Sequence, residues 1–96
     1  MMTRLQMLLG ILAEECTEIG QRASKAQRFG LEEHQPGDNA SNASRIHQEL
    51  DDLAAIVDML NEEFNFGYVP LNSAINAKIE KVNQYAEYSR KLGLVE

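Results

Sequence analysis

Between residues 46 and 64 the apolar side chains Ile46, Leu50, Leu53, Val57, Leu60 and Phe64 recur at intervals of four, three, four, three and four, without a break. That spacing keeps one stripe on one side of an α-helix, whereas a half-buried strand needs strict alternation, and no strand-like alternation occurs anywhere in the chain. A stripe of this kind has to be covered by other helices, so it reads as the seam of a bundle. Ala54 and Ala55 widen the apolar cover, which implies more than two neighbours and hence a partner subunit.

The segment is predicted to be helical from near Asn42, a good N-cap residue, to about Asn65. A first helix is expected from about Thr3 to Arg28, where Leu5, Leu8, Leu9, Leu12, Cys16, Ile19 and Ala23 keep helical spacing before Gly30. The polar stretch Leu31 to Asn42, with its Pro36-Gly37-Asp38-Asn39 turn signal, is expected to be a mobile loop. Gly67 and Pro70 separate off a third helix from about Asn72 to Leu92, with Ile75, Ile79, Val82 and Ala86 facing inward. Ninety-six residues form one domain, residues 1–96, with a modest core. The expected fold is all-α, three main helices per subunit forming a helical bundle completed by oligomerisation, as a homodimer or homotetramer.

Composition narrows the function. Hydrophobic residues at 44% and charged residues at 25% are ordinary for a globular protein and argue against disorder. The net charge of -6 argues against a nucleic-acid polymer as partner, because tracking a phosphate backbone requires clustered Lys and Arg. The run from Leu8 to Ala13 is too short to span a bilayer and passes directly into Glu14-Glu15, so it reads as a core helix and no membrane partner is expected. The single cysteine, Cys16, excludes an internal disulfide and is expected to be a small buried hydrophobe beside Leu5, Leu9, Leu12 and Ile19, a usage that fits the cytoplasm.

Two acidic clusters stand out against this apolar background: Glu14-Glu15-Cys16-Thr17-Glu18 and Glu49-Leu50-Asp51-Asp52. Positions three and four apart share a helix face, so Glu15 projects with Glu18, Glu14 lies beside Glu18, and Glu49 projects with Asp52. Solvated acidic faces usually find a basic residue four positions on, yet Glu15, Glu49 and Asp52 are followed there by Ile19, Leu53 and Ile56. Glu18 differs, since Arg22 stands four residues later and can pair with it. Brought together, these carboxylates would repel one another unless a cation intervened, and an all-oxygen donor set suits Mg²⁺, or Mn²⁺. Along the same strip Arg22, Lys25 and Phe29 follow Glu18, which orders ligands, cations and an aromatic ring as a track for a polyphosphate and a base. Arg28, Lys78 and Lys81 are further candidates for phosphate oxygens, and with no Trp in the chain Phe29 or Tyr85 would stack a base. A di-iron carrier would want Glu-x-x-His pairs, and neither His34 nor His47 has one, so both are expected at the surface.

Glu14-Glu15-x-x-Glu18 followed by Glu49-x-x-Asp52 resembles the paired acidic motif of the MazG-like all-α nucleoside triphosphate pyrophosphohydrolases, relatives of phosphoribosyl-ATP pyrophosphohydrolases and dimeric dUTPases. The surrounding Leu9-x-x-Leu12-Ala13 and Leu50, Leu53 are similar too, and the resemblance extends loosely to Lys78-x-x-Lys81-x-Asn83, so it covers most of the chain. It implies hydrolysis of an NTP or dNTP to the monophosphate and pyrophosphate. It further implies Glu15, Glu18, Glu49 and Asp52 as Mg²⁺ ligands, Glu14 as the acid that orients or deprotonates water, and Asn83 among the substrate-binding residues. The alternative is a non-catalytic acidic helical module that binds a basic partner or senses nucleotide.

Overall fold

The computed structural model describes residues 1–96 as three helices and no strand: α1 Arg4–Phe29, α2 Asn42–Phe64 and α3 Asn72–Lys91. No helix is long and apolar enough to cross a membrane. Local chemistry fixes the ends. Thr3 caps α1 by accepting from the Gln6 amide at 3.1 Å, while the Gln6 side chain accepts from the Thr3 amide at 2.9 Å, a reciprocal capping box. Gly30, at φ 92°, leaves the helix after its N–H reaches the Ala26 carbonyl at 2.7 Å. Asn65 closes α2 in the left-handed conformation, at φ 52°.

The expected cap of α2 is corrected by one residue. Ser41 accepts from the Ser44 amide at 3.1 Å, and Asn42 is released for a different task. Its side-chain amide donates to the Gly30 carbonyl and to Glu33 Oε2, both at 2.8 Å, and the residue is 4% exposed. Its backbone N–H donates to the Glu33 carbonyl at 2.9 Å. Together with an Asp38–Arg45 ion pair, these bonds tie the loop expected to be mobile to both helices it joins.

α1 and α2 pack as an antiparallel hairpin, and α3 packs against neither. Leu8 and Leu60 are fully buried where the two helices meet, with Ile11, Leu12, Ile46, Leu53, Ile56 and Val57 half-buried around them. At the open end Arg4 grips Glu63 through two hydrogen bonds of 3.0 and 3.2 Å. The inward placement expected for α3 is therefore corrected. Ile75, Ile79 and Val82 stand 46 to 53% exposed because no helix of the same chain covers them, and only Ala86 is half-buried. Cys16 is corrected for a similar reason: it is exposed with Leu5 and Leu9 on the side of α1 turned away from α2.

Candidate metal centre

The hairpin's register assembles the acidic residues. Starting from Arg4 opposite Glu63, eleven residues along α1 and back along α2 bring Glu15 level with Asp52, and fourteen bring Glu18 level with Glu49. Glu15 also falls seven residues after buried Leu8, and Glu49 eleven before buried Leu60, so both lie on the stripe each helix turns to the other. These are core positions occupied by acids.

One carboxylate oxygen from each of Glu15, Glu18 and Glu49 lies within 4.8 Å of the others. The Glu49 side chain is 12% exposed, Glu15 is half-buried and Glu18 is open to solvent. Glu15 Oε2 and Glu49 Oε2 are buried without a hydrogen-bond partner. Buried polar atoms are nearly always paired, so these two acceptors could be met either by a proton shared among the carboxyls or by a bound cation. The nearest protein cation is Arg22, whose Nε stands 3.8 Å from Glu49 Oε1, across the hairpin. Arg22 can pair with Glu18 on its own helix, whose carboxyl feels its charge, but its closest ion-pair contact is Glu49, because it continues the Leu8–Glu15 stripe by another seven residues.

Protonation follows the crowding. The Glu15 carboxyl is raised above the usual carboxylate value, first by burial, then by the charges of Glu18 and Asp52, with hydrogen bonding to Glu49 opposing the shift and Glu14 adding a little. Glu18 is raised chiefly through hydrogen bonding and charge repulsion with Glu49, then by desolvation and Asp52, while Arg22 pulls it back. Glu15 and Glu18 therefore hold on to protons where isolated carboxylates would have lost them.

The remaining expected residues divide in two. Asp52 is exposed and lies outside the tight group of three, close enough for its charge to act on Glu15 and Glu18. Glu14 is exposed and lines a shallow depression with Thr17, Glu18 and Gln21. Arg22, Lys25 and Arg28 line the next depression along α1 with Gly20, Gln21 and Ser24, so three cations follow the carboxylates on the same helix. Phe29 is 55% exposed under the Arg28 guanidinium, 5.3 Å from its ring centre. Lys78, Lys81, Asn83 and Tyr85 are all on α3, and the chain does not bring them to the carboxylates, since α3 packs on neither hairpin helix. There Lys81 lies 6.0 Å from the centre of the Tyr85 ring and Lys78 borders an apolar hollow with Tyr68 and Ile75. His34 and His47 are exposed, as expected.

The donor set fits a hard divalent cation: all oxygen, partly desolvated, two acceptors unpaired, and the carboxylates too close to be stable as bare anions. Comparison with protein-family models, curated proteins and solved structures returns no match to the chain.

Proposed function

We propose that this protein is a cation-dependent nucleoside triphosphate pyrophosphohydrolase of the MazG-like kind, converting an NTP or dNTP to its monophosphate and pyrophosphate in the cytoplasm. The observation that carries the reading is the group of Glu15, Glu18 and Glu49, with two buried oxygens that find no donor while the three carboxylates are ionised. Glu15, Glu18 and Glu49, joined by Asp52 from the exposed side, would hold Mg²⁺ or Mn²⁺. Such an ion supplies charge neutralisation for a polyphosphate and increased acidity for water.

The chain's own residues do the rest. Arg22, Lys25 and Arg28 bind phosphate oxygens along α1, the arginines as forks and the lysine as a point charge. Glu14 is solvent-accessible beside Glu18, where it can accept the proton that water gives up as it adds to phosphorus and the bridging P–O bond breaks. Phe29 offers an exposed ring for base stacking next to the cations. Lys78, Lys81, Asn83 and Tyr85 join the site only through assembly, which this reading takes as a homodimer or homotetramer.

The uncovered apolar face of α3 favours a second reading, a non-catalytic interaction or nucleotide-sensing module. The two part on product. A pyrophosphate-release screen over common and modified NTPs and dNTPs with Mg²⁺ and Mn²⁺ should find at least one substrate, with release reduced about a hundredfold or more in Asp52→Asn, equivalent to about 2.7 kcal/mol of barrier. No release from any nucleotide would favour the module, and unchanged release in the variant would remove Asp52 from the site.

A further inference from the structure

Arg22 belongs to two neighbourhoods at once. Its Nε stands 3.8 Å from Glu49 Oε1, across the hairpin and at the edge of the carboxylate group. The same side chain lines the open depression on α1 with Lys25 and Arg28, in which no acid takes part. Between Glu18 and Glu32 the sequence has no Asp or Glu, so these three cations have no acidic neighbour further along the helix. Lys25 and Arg28 form no ion pair, and Arg22 alone of the three is engaged with a carboxylate.

The contact is one that can be given up. At 3.8 Å it lies beyond the range of about 2.7–3.2 Å for an N–H···O hydrogen bond, so it is a charge contact and falls short of the two-bond fork a guanidinium makes with carboxylate or phosphate. Neither Glu15 Oε2 nor Glu49 Oε2 gains a donor from it. The Arg22 side chain is 33% exposed and that of Glu49 is 12% exposed, so the guanidinium has open space to turn into while the carboxylate stays enclosed. Turning away leaves a largely buried charge without compensation unless another positive charge takes its place. A divalent ion meets that condition. Mg²⁺ approaches oxygen to about 2.0–2.1 Å with twice the charge, and attraction grows with charge and falls with distance, so it displaces a single guanidinium standing nearly twice as far away.

We propose that Arg22 serves as the internal counter-ion of Glu49 until a divalent cation takes that carboxylate, whereupon its guanidinium is released to phosphate oxygens beside Lys25 and Arg28. The inference rests on reading the carboxylates as a cation site and adds an order to it: cation first, phosphate second. While Glu49 holds Arg22, the depression offers two free cations; after release it offers three. The two ligands are thereby coupled through one side chain, and the coupling is reciprocal, since a phosphate that captures Arg22 removes the cation's competitor.

The test is calorimetric titration of Mn²⁺ alone into the wild type, Arg22→Gln and Lys25→Gln at pH 7.5, glutamine removing the charge at nearly unchanged helix propensity. Arg22→Gln should bind Mn²⁺ about fivefold tighter than wild type or better, because the competitor for Glu49 is gone. Lys25→Gln, which removes an equal charge from the same depression without touching Glu49, should shift the affinity by less than about twofold at physiological salt. Melting supplies a second readout: Arg22→Gln should melt a few degrees below wild type in EDTA, and at saturating Mn²⁺ the gap should shrink by about half or more, since wild type has then given up the same contact. With Mn²⁺ saturating, inorganic pyrophosphate should bind Arg22→Gln about tenfold more weakly than wild type. Mn²⁺ binding no tighter in Arg22→Gln, an equal gain in Lys25→Gln, a melting gap unchanged by Mn²⁺, or unaltered pyrophosphate affinity each overturns the proposal while leaving the cation site in place. No Mn²⁺ binding by any of the three proteins removes the cation site and the proposal with it.

Discussion

The hairpin of α1 and α2 and the C-terminal helix α3 carry the same kind of apolar stripe, yet only the hairpin uses its stripe inside one chain. In the hairpin, Leu8 and Leu60 disappear from solvent and two acids occupy adjoining core positions. In α3 the corresponding side chains stay about half exposed. Helical periodicity specifies that a face must be covered without specifying by what. The hairpin meets its requirement and retains buried carboxylate oxygens without a partner at its centre, whereas the acids of α3, Glu80 and Glu87, are exposed and its apolar requirement is unmet.

The largest effect that sharpens this contrast is at the hairpin seam. Leu60→Ala removes a fully buried side chain and should cost about 2–5 kcal/mol by chemical denaturation, at any protein concentration. Ile79→Ala, assayed in the same way on dilute protein, should cost no more than about 0.5 kcal/mol. Equal penalties at dilution would break the distinction between the two regions.

A smaller loss is expected at the loop latch. Asn42→Ala removes the donor to the Gly30 carbonyl and to Glu33 at a part-buried contact, which should lower stability by about 0.5–1.5 kcal/mol in the same assay. Wild-type stability in that variant would mean that the 31–41 loop is not fastened through Asn42.

The smallest effects are electrostatic and differ in sign between the middle of the hairpin and its open end. Glu15 and Glu18 bind protons more tightly folded than unfolded, so their contribution is fully present below the usual carboxylate value of 4.5 and is lost as pH rises through their raised values. Glu63, lowered by its hydrogen bond and charge contact with Arg4, contributes above the usual value and loses that contribution as pH falls through its lowered one. In the absence of divalent cations the melting temperature should therefore decline as pH rises from 4.5 toward neutrality, and Glu15→Gln should flatten the decline and raise the melting temperature at pH 7 by a few degrees. A Glu15→Gln variant less stable than wild type at pH 7 would show that the carboxylate is supported by contacts of its own.

The helices were legible in the sequence because apolar spacing and the Gly30, Gly67 and Pro70 boundary signals act within a few residues of one another. The acidic group was legible for a related reason: acids inside an apolar stripe without basic followers are locally anomalous. The contact of Arg22 with Glu49 was not legible because an i,i+4 rule sees only its own helix, where it offers Glu18; its place on the stripe with Leu8 and Glu15 is the signal that points across to Glu49. The Arg4–Glu63 bond and the Asn42 latch depend on hairpin register, which composition does not set. The exposure of α3 and Cys16 within one chain was not legible, because periodicity says that a face must be covered without saying whether the same chain covers it.

The central claim is that acids from two helices converge on one cation, and calorimetric titration of Mn²⁺ into the wild type and into Glu15→Gln/Glu49→Gln at pH 7.5 tests it directly. Saturable binding by the wild type, absent from a double variant that remains folded, is the result this account predicts. Identical heats for the two proteins would contradict it.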